Sequence, residues 1–361
     1  MPSCLGIYID GNIIKYAKVS KDNNIVKIEA SGIKFHDNTE ETINNIVNET
    51  FSYKTPISIN LSDEQYTYAD LFSLLNKNDL EKAVQSEFEY FCNENGKNKN
   101  TLQYKKISIE NPEDRDKLRV LYAYVDRASL ASKTQTLDGF KLTNITPLPL
   151  CINNLGEFVG KKNGIIVNIE RLTTISTIVN GEVVKVDTAS KGMRDILDEI
   201  TLKENSYEKS YEICKNSTIY TKAGRGLQVE ENDYLESIMP TLYTIIKETK
   251  EIMAKNGIPI ENIYITGLGA VVNNIDLYFQ ENFENQKCEI LTPYFAEKTN
   301  IKINIKDYIE VNSATALALQ GLGQGVKEVN FINRKGFDKI GDMLTSDVGS
   351  KKGEAKNKRR I

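Results

Sequence analysis

The chain states one pattern twice. An apolar strand, a tight polar turn and further strands open the N-terminus, and the same run returns at residue 164. In the first copy Leu5-Gly6-Ile7-Tyr8-Ile9 reads as a strand and Asp10-Gly11-Asn12 as a turn. Ile13 to Val19 and Asn24 to Ala30 read as two more strands. In the second copy the strands are Gly164 to Ile169, Thr173 to Val179 and, after the Asn180-Gly181 turn, Glu182 to Asp187. Helical patterns follow each meander. Thr39 to Thr50 places Ile43, Ile46 and Val47 on one face, with Asn38 in the capping position. Gly192 to Thr201, Ser206 to Asn216 and Asp233 to Asn256 follow the second meander. Duplication of this kind constrains architecture more than any single element does. It predicts two α/β domains facing each other across a cleft, a frequent place for a ligand. A length of 361 residues suits two domains.

Between the copies, residues 70–140 read as a separate α/β patch. Its helices cover Leu80 to Cys92 and Ala128 to Leu137, and its strands Tyr104 to Ile109 and Leu118 to Val125. Pro56 to Leu61 is a strand ahead of the patch, and Thr146-Pro147-Leu148-Pro149 is a connection behind it. Towards the end come a strand at Asn262 to Thr266, a helix at Ala270 to Gln280 and a small-residue helix at Val311 to Gly321.

Composition narrows the chemistry. The 46 cations and 50 anions argue against nucleic acid, whose phosphates call for an excess of Lys and Arg. The charge is unevenly spread: Lys351 to Ile361 holds six cations and one anion. Five cysteines, an odd number without C-x-x-C, suit a reducing compartment. The single histidine, His36, sits in a polar loop and reads as a surface residue, which leaves neither a zinc ligand set nor a His-based acid/base pair. No signal peptide opens the chain, and no apolar run approaches the roughly 18 residues of a membrane span.

Three loops have the make-up of anion sites. The turn Asp10-Gly11-Asn12, with Lys15 beyond it, can aim backbone N–H groups one way. Such turns also close ordinary hairpins. Asn168 to Thr174 follows a buried strand and carries the hydroxyls of Thr173 and Thr174. Thr266-Gly267-Leu268-Gly269-Ala270 reads as a strand–Gly-x-Gly–helix junction, where backbone can approach a ligand. Each is weak alone; the three in this order are more specific.

In that order the loops resemble the actin-like ATPase superfamily of actin, sugar kinases and the division protein FtsA, and within it the PilM family of type IV pilus assembly proteins. The resemblance covers residues 5 to about 325. It implies an α/β fold of duplicated, ribonuclease H-like domains around a nucleotide cleft, with an inserted α/β subdomain of the FtsA/PilM type. Residues 1–69, 141–160 and the closing helix at 311–325 would form the first domain. Residues 70–140 would be the insert, 161–310 the second domain and 326–361 a tail. ATP and Mg2+ would then meet Asp10, Gly11, Asn12 and Lys15 at the first phosphate loop, and Asn168 and Thr173 at the second. Glu212 and Lys215 of Tyr211-Glu212-Ile213-Cys214-Lys215, with Gly267 and Gly269, would border the adenosine. The departures fall on the phosphate side. Tyr8 and Asn168 stand where the family has aspartates, and Asn cannot supply the charge that magnesium prefers. Asp10, two residues from Tyr8 on the same strand face, partly stands in. Glu170 replaces a glycine, and beside a phosphate it would repel by on the order of 1 kcal/mol or more. The expectation is a retained adenosine cleft with weak or absent hydrolysis and no assigned catalytic residue.

After Gly325 the pattern changes. Val329-Asn330-Phe331-Ile332 resembles the Ile-Asn-Leu-Leu-Pro motif that opens PilN, the membrane partner of PilM, with Asn333 in place of the proline. The resemblance implies an extended peptide in a groove; a last strand capping the fold is the plainer reading of the same residues. A spacer at Thr345 to Ser350 and the basic run then give the order expected beside a transmembrane helix on its cytoplasmic side. The reading is the soluble part of a PilM–PilN fusion at the inner face of the cell membrane. Its implied partners are a PilN-type peptide, other inner-membrane platform proteins, motor ATPases, the membrane surface and further copies of itself. The alternatives are an active ATPase or phosphotransferase, or an FtsA-like division adaptor with a short amphipathic helix at Gly336 to Leu344.

Overall fold

The computed structural model describes residues 1–22, 25–158, 160, 163–223, 226–229, 232–296 and 305–332. The first lobe opens with β1 (Ser3–Asp10), β2 (Ile13–Asp22) and β3 (Ile25–Phe35), then α1 (Thr39–Glu49) and β4 (Ile57–Asn60). Asn38 caps α1 by accepting from the Glu41 N–H, and Ile43, Ile46 and Val47 face the core. An insert follows: β5 (Gln65–Phe72), α2 (Lys77–Glu94), β6 (Leu102–Glu110), β7 (Lys117–Asp126) and α3 (Arg127–Thr136). The chain returns to the first lobe as β8 (Leu142–Thr146).

The second lobe contains β9 (Gly164–Ile169), β10 (Thr173–Val179), β11 (Glu182–Thr188), α4 (Met193–Glu204) and α5 (Tyr207–Asn216). A hairpin, β12 (Tyr220–Ala223) and β13 (Gly226–Val229), precedes α6 (Leu235–Asn256). Then come β14 (Asn262–Thr266), α7 (Ile275–Asn282) and β15 (Lys287–Ile290). After α8 (Ile305–Ile309), α9 (Asn312–Gly321) returns to the first lobe.

The duplication appears as topology. The sheet orders are β3-β2-β1-β4-β8 and β11-β10-β9-β14-β15. Counting only its own strands in chain order, each sheet runs third, second, first, fourth, fifth. In each, the first strand pairs antiparallel with the second and parallel with the fourth. The central strands are the apolar runs: all of β9 is buried, as are Cys4 to Tyr8 of β1. That is the pattern of a strand covered on both faces.

The insert has its own sheet, β5-β7-β6, over an aromatic core that includes Phe88, Tyr104 and Tyr122, with 4.2 Å between the Phe88 and Tyr104 rings. Its first strand begins at Gln65 rather than at 70, and it pairs along its whole length, from Gln65 opposite Tyr124 to Phe72 opposite Lys117. The polar run before it reads as loop because β5 is a mostly solvated edge strand. The helix expected from Ala270 does not start there. Leu268–Val271 is a short 3-10 turn, and α7 begins only after Asn274, whose left-handed backbone (φ 62°) breaks the run. His36 is not the open surface residue expected: it is half-buried against the first turn, its main-chain N–H donating to the Asn12 carbonyl at 2.9 Å. Burial lowers its pKa. All five cysteines are buried and unpaired. Among the described residues no helix is long and apolar enough to cross a membrane.

Helix α9 is built of small residues because it must touch β1. A Cβ at Gly6 would lie 1.9 Å from the Ala314 carbonyl oxygen. We therefore expect Gly6→Ala to destabilise the chain by about 1–3 kcal/mol or more in urea unfolding. Adding Ala314→Gly should not relieve it, since the obstacle is a main-chain atom.

Candidate functional site

The three loops meet between the lobes, and their meeting point is a carboxylate. Lys15 on β2 is fully buried, at 0% exposure, and Glu170, the first residue past β9, is 1% exposed. The Lys15 ammonium donates to Glu170 Oε1, and the Ser313 hydroxyl on α9 donates to the same oxygen. Ser313 Oγ lies 3.4 Å from Lys15 Nζ, and the Leu268 N–H points at Glu170 Oε2 from 3.4 Å. The Lys15 ammonium also sits 4.9 Å from the centre of the Tyr8 ring. Glu170 is thus held by its neighbours rather than left as a repelling charge. A buried pair of this kind is tolerable only with such extra hydrogen bonds, and losing one partner typically costs about 3–5 kcal/mol.

Beside this knot lies a cavity of about 430 Å³, bounded by both lobes and the insert; Asp10, Glu64, Lys133, Pro149, Asn168 and Arg171 are among its lining residues. Asp10 accepts from the Tyr8 hydroxyl at 2.9 Å and from the Arg171 N–H at 3.2 Å. Burial raises the Asp10 carboxyl above its usual range, against the pull of Tyr8 and Arg171. Glu64 accepts from the Tyr66 hydroxyl at 3.1 Å, and Lys133 donates to Ser62. Desolvation pushes the Glu64 carboxyl up to about 7 and pulls the Lys133 ammonium down to about 8. Sequence reasoning missed Glu64, Lys133 and Ser313. The first two are brought together only by the insert's packing. The last hides in a helix chosen for small residues.

The expected nucleotide residues are distributed unevenly. Gly11 and Asn12 lie exposed in the turn, and Asp10, Gly11 and Asn168 line the cavity. Asn168 is 2% exposed, and its Oδ1 has no hydrogen-bond partner among the described residues. Thr173 is fully buried opposite Ile169 in the sheet, so its place is inside the lobe. Gly267 and Gly269 have a packing reason. A Cβ would fall 2.7 Å from the Ile169 main chain at the first and 2.5 Å from the Ile169 side chain at the second. Of the residues expected beside an adenosine, Glu212 is exposed, and Lys215 is tied to Glu310 at 2.5 Å. Tyr211 donates to the same Glu310 at 2.7 Å. Lys15, Ser313 and the Leu268 N–H are engaged with Glu170, and Tyr8 and Asn168 carry no carboxylate for a metal.

A second feature lies on the far edge of the first lobe. Val329 and Phe331 are buried, at 0% and 2% exposure. Between them the Asn330 amide donates to the Thr143 carbonyl at 3.0 Å, and its oxygen accepts from the Ile145 N–H at 3.1 Å and the Ile332 N–H at 3.0 Å. The Phe331 N–H reaches the Ile145 carbonyl at 2.8 Å, and Gln103 of β6 donates to the Phe331 carbonyl at 3.2 Å. The segment lies between two sheet edges, β8 and β6. It is a 3-10 turn at Lys327–Val329 followed by extended chain, not a strand. Asn333, the stretch 336–344, the spacer 345–350 and the basic run 351–361 lie outside the described residues.

Two lobes of repeated topology, joined across a cleft and carrying an inserted α/β unit, define the actin-like fold. By structure the chain resembles one in a PilM–PilN type IV pilus biogenesis complex, with a TM-score of 0.69 at 15% identity over 88% of this chain and 98% of that one. It also matches the ethanolamine utilization protein EutJ from Carboxydothermus hydrogenoformans, with a TM-score of 0.48 at 12% identity over 88% and 90%. The activator of the 2-hydroxyisocaproyl-CoA dehydratase from Clostridium difficile with bound ADPNP matches with a TM-score of 0.44 at 10% identity over 92% and 99%. Scores this low in the last two carry no argument. By sequence, no protein-family profile and no curated protein matches the chain.

Glu64 has a pH signature. Its folded pKa of about 7 lies above the ordinary 4.5, so it adds stability below about pH 4.5 that is lost as pH rises to about 7. Glu64→Gln should flatten that fall, which we expect to be on the order of 1–3 kcal/mol in urea unfolding at pH 5 and pH 8.

Proposed function

We propose that the chain is an actin-like scaffold of a type IV pilus assembly platform. It works at the cytoplasmic face of the membrane through a peptide groove rather than through ATP turnover. The observation that carries this reading is the Asn330 clamp: one side-chain amide holds both an N–H and a C=O of β8, with Val329 and Phe331 buried on either side. That is recognition by main-chain bonds and side-chain pockets. The fold likeness to a chain in a complex with PilN supports a PilN-type occupant, here the chain's own segment. Other platform proteins, motor ATPases and an anionic membrane surface are the remaining partners of this reading.

The test is a chain ending at residue 325 and a labelled peptide spanning 326–335. The shortened chain should bind the peptide with a Kd on the order of 10 μM, and the full chain should not. Asn330→Ala in the peptide should weaken binding by about tenfold or more, since it strands the Thr143 carbonyl and the Ile145 N–H of β8 as well as the Ile332 N–H. A folded, shortened chain that ignores the peptide would overturn the reading. Calorimetry with ATP and magnesium should give no binding tighter than about 1 mM; micromolar binding with turnover would return the ATPase alternative.

A further inference from the structure

We propose that Glu170 is a built-in anion. Its carboxylate fills the place where the cleft would hold a phosphate, so the lobes are clasped without a bound nucleotide. This stands apart from the peptide reading and does not need it.

The argument is one of convergence. The first loop supplies Lys15, the third supplies the Leu268 N–H, and α9 adds the Ser313 hydroxyl. A cation, a hydroxyl and a main-chain N–H aimed at one point form a donor set for a carboxylate or phosphate oxygen. The second loop delivers the acceptor itself, Glu170. Lys15 is at 0% exposure, so its charge cannot be met by bulk water. Whatever occupies this point must be anionic. A tethered side chain loses no translational freedom on arrival, so it outcompetes a free anion of equal contact. Lys15 and Ser313 belong to first-lobe elements and Glu170 to the second lobe, so their two bonds to this carboxylate cross between the lobes, while the Leu268 N–H bond lies within the second.

The inference predicts chemical rescue. Glu170→Ala in the full chain should empty a small anion site beside a buried cation. Its Tm should fall by roughly 5 °C or more. Tens of millimolar formate or inorganic phosphate should recover at least half of that loss, measured against chloride at equal ionic strength. The unaltered chain should show no such response. A loss that no anion relieves, or an equal rise in the unaltered chain, would overturn the proposal. Should Glu170→Ala not fold, the double variant Lys15→Met with Glu170→Met decides. With both charges gone it should fold, melt within a few degrees of the original and ignore formate and phosphate. Failure of that variant to fold, or a response to these anions, would sink the idea.

Discussion

A buried ammonium and a buried carboxylate from opposite lobes set the terms for this molecule. Alone, either charge would cost several kcal/mol to keep out of water. Together, with Ser313 and the Leu268 N–H, they are satisfied only when both lobes and α9 are in place. Their positions follow from strand geometry. Lys15 stands opposite Tyr8 in the β1–β2 pair, and Glu170 is the first residue after β9 ends. Apolar contact follows the same line, since Ile13 of β2 and Ile109 of the insert belong to the second lobe's core cluster. The relative placement of the lobes is therefore specified by charge at one point and by packing around it.

The same constraint changes what the loop residues are for. Gly267 and Gly269 look like residues that let backbone approach a ligand, yet the close neighbour is Ile169 of the chain itself. Lys215 looks like an adenosine contact, yet it holds Glu310. Residue types inherited with a fold can keep their geometry and serve internal contacts. The open space lies to the side, in the cavity bordered by Asp10, Glu64 and Lys133.

The duplicated sheet was legible because buried central strands are long apolar runs bounded by turns. The bounds of β9, β10 and β14 agree with the sequence reading to the residue. The strands β5 and β15 were not, being edge strands with solvated faces. The clasp was illegible for a different reason. Lys15 and Glu170 are 155 positions apart, and a lone Lys or Glu in a sequence reads as surface. In the sequence Glu170 stands out only as a departure from a motif, and its charge reads as repulsive until Lys15 is set against it. Pairwise chemistry across lobes is invisible to periodicity, which reports only which face of one element is buried.

The tail shows how a single side chain can finish a sheet. An edge strand such as β8 leaves N–H and C=O groups that invite another strand. A primary amide carries an acceptor oxygen beside an N–H donor, so it can serve an N–H and a C=O of one edge together. Asn330 uses them on the Ile145 N–H and the Thr143 carbonyl, so the edge is closed without a strand being formed. Aspartate lacks the donor, and a longer glutamine would displace the main chain from Phe331's bond to Ile145. The buried flanks Val329 and Phe331 then fix the register. Among the described residues, these anchors all come from Val329 to Ile332.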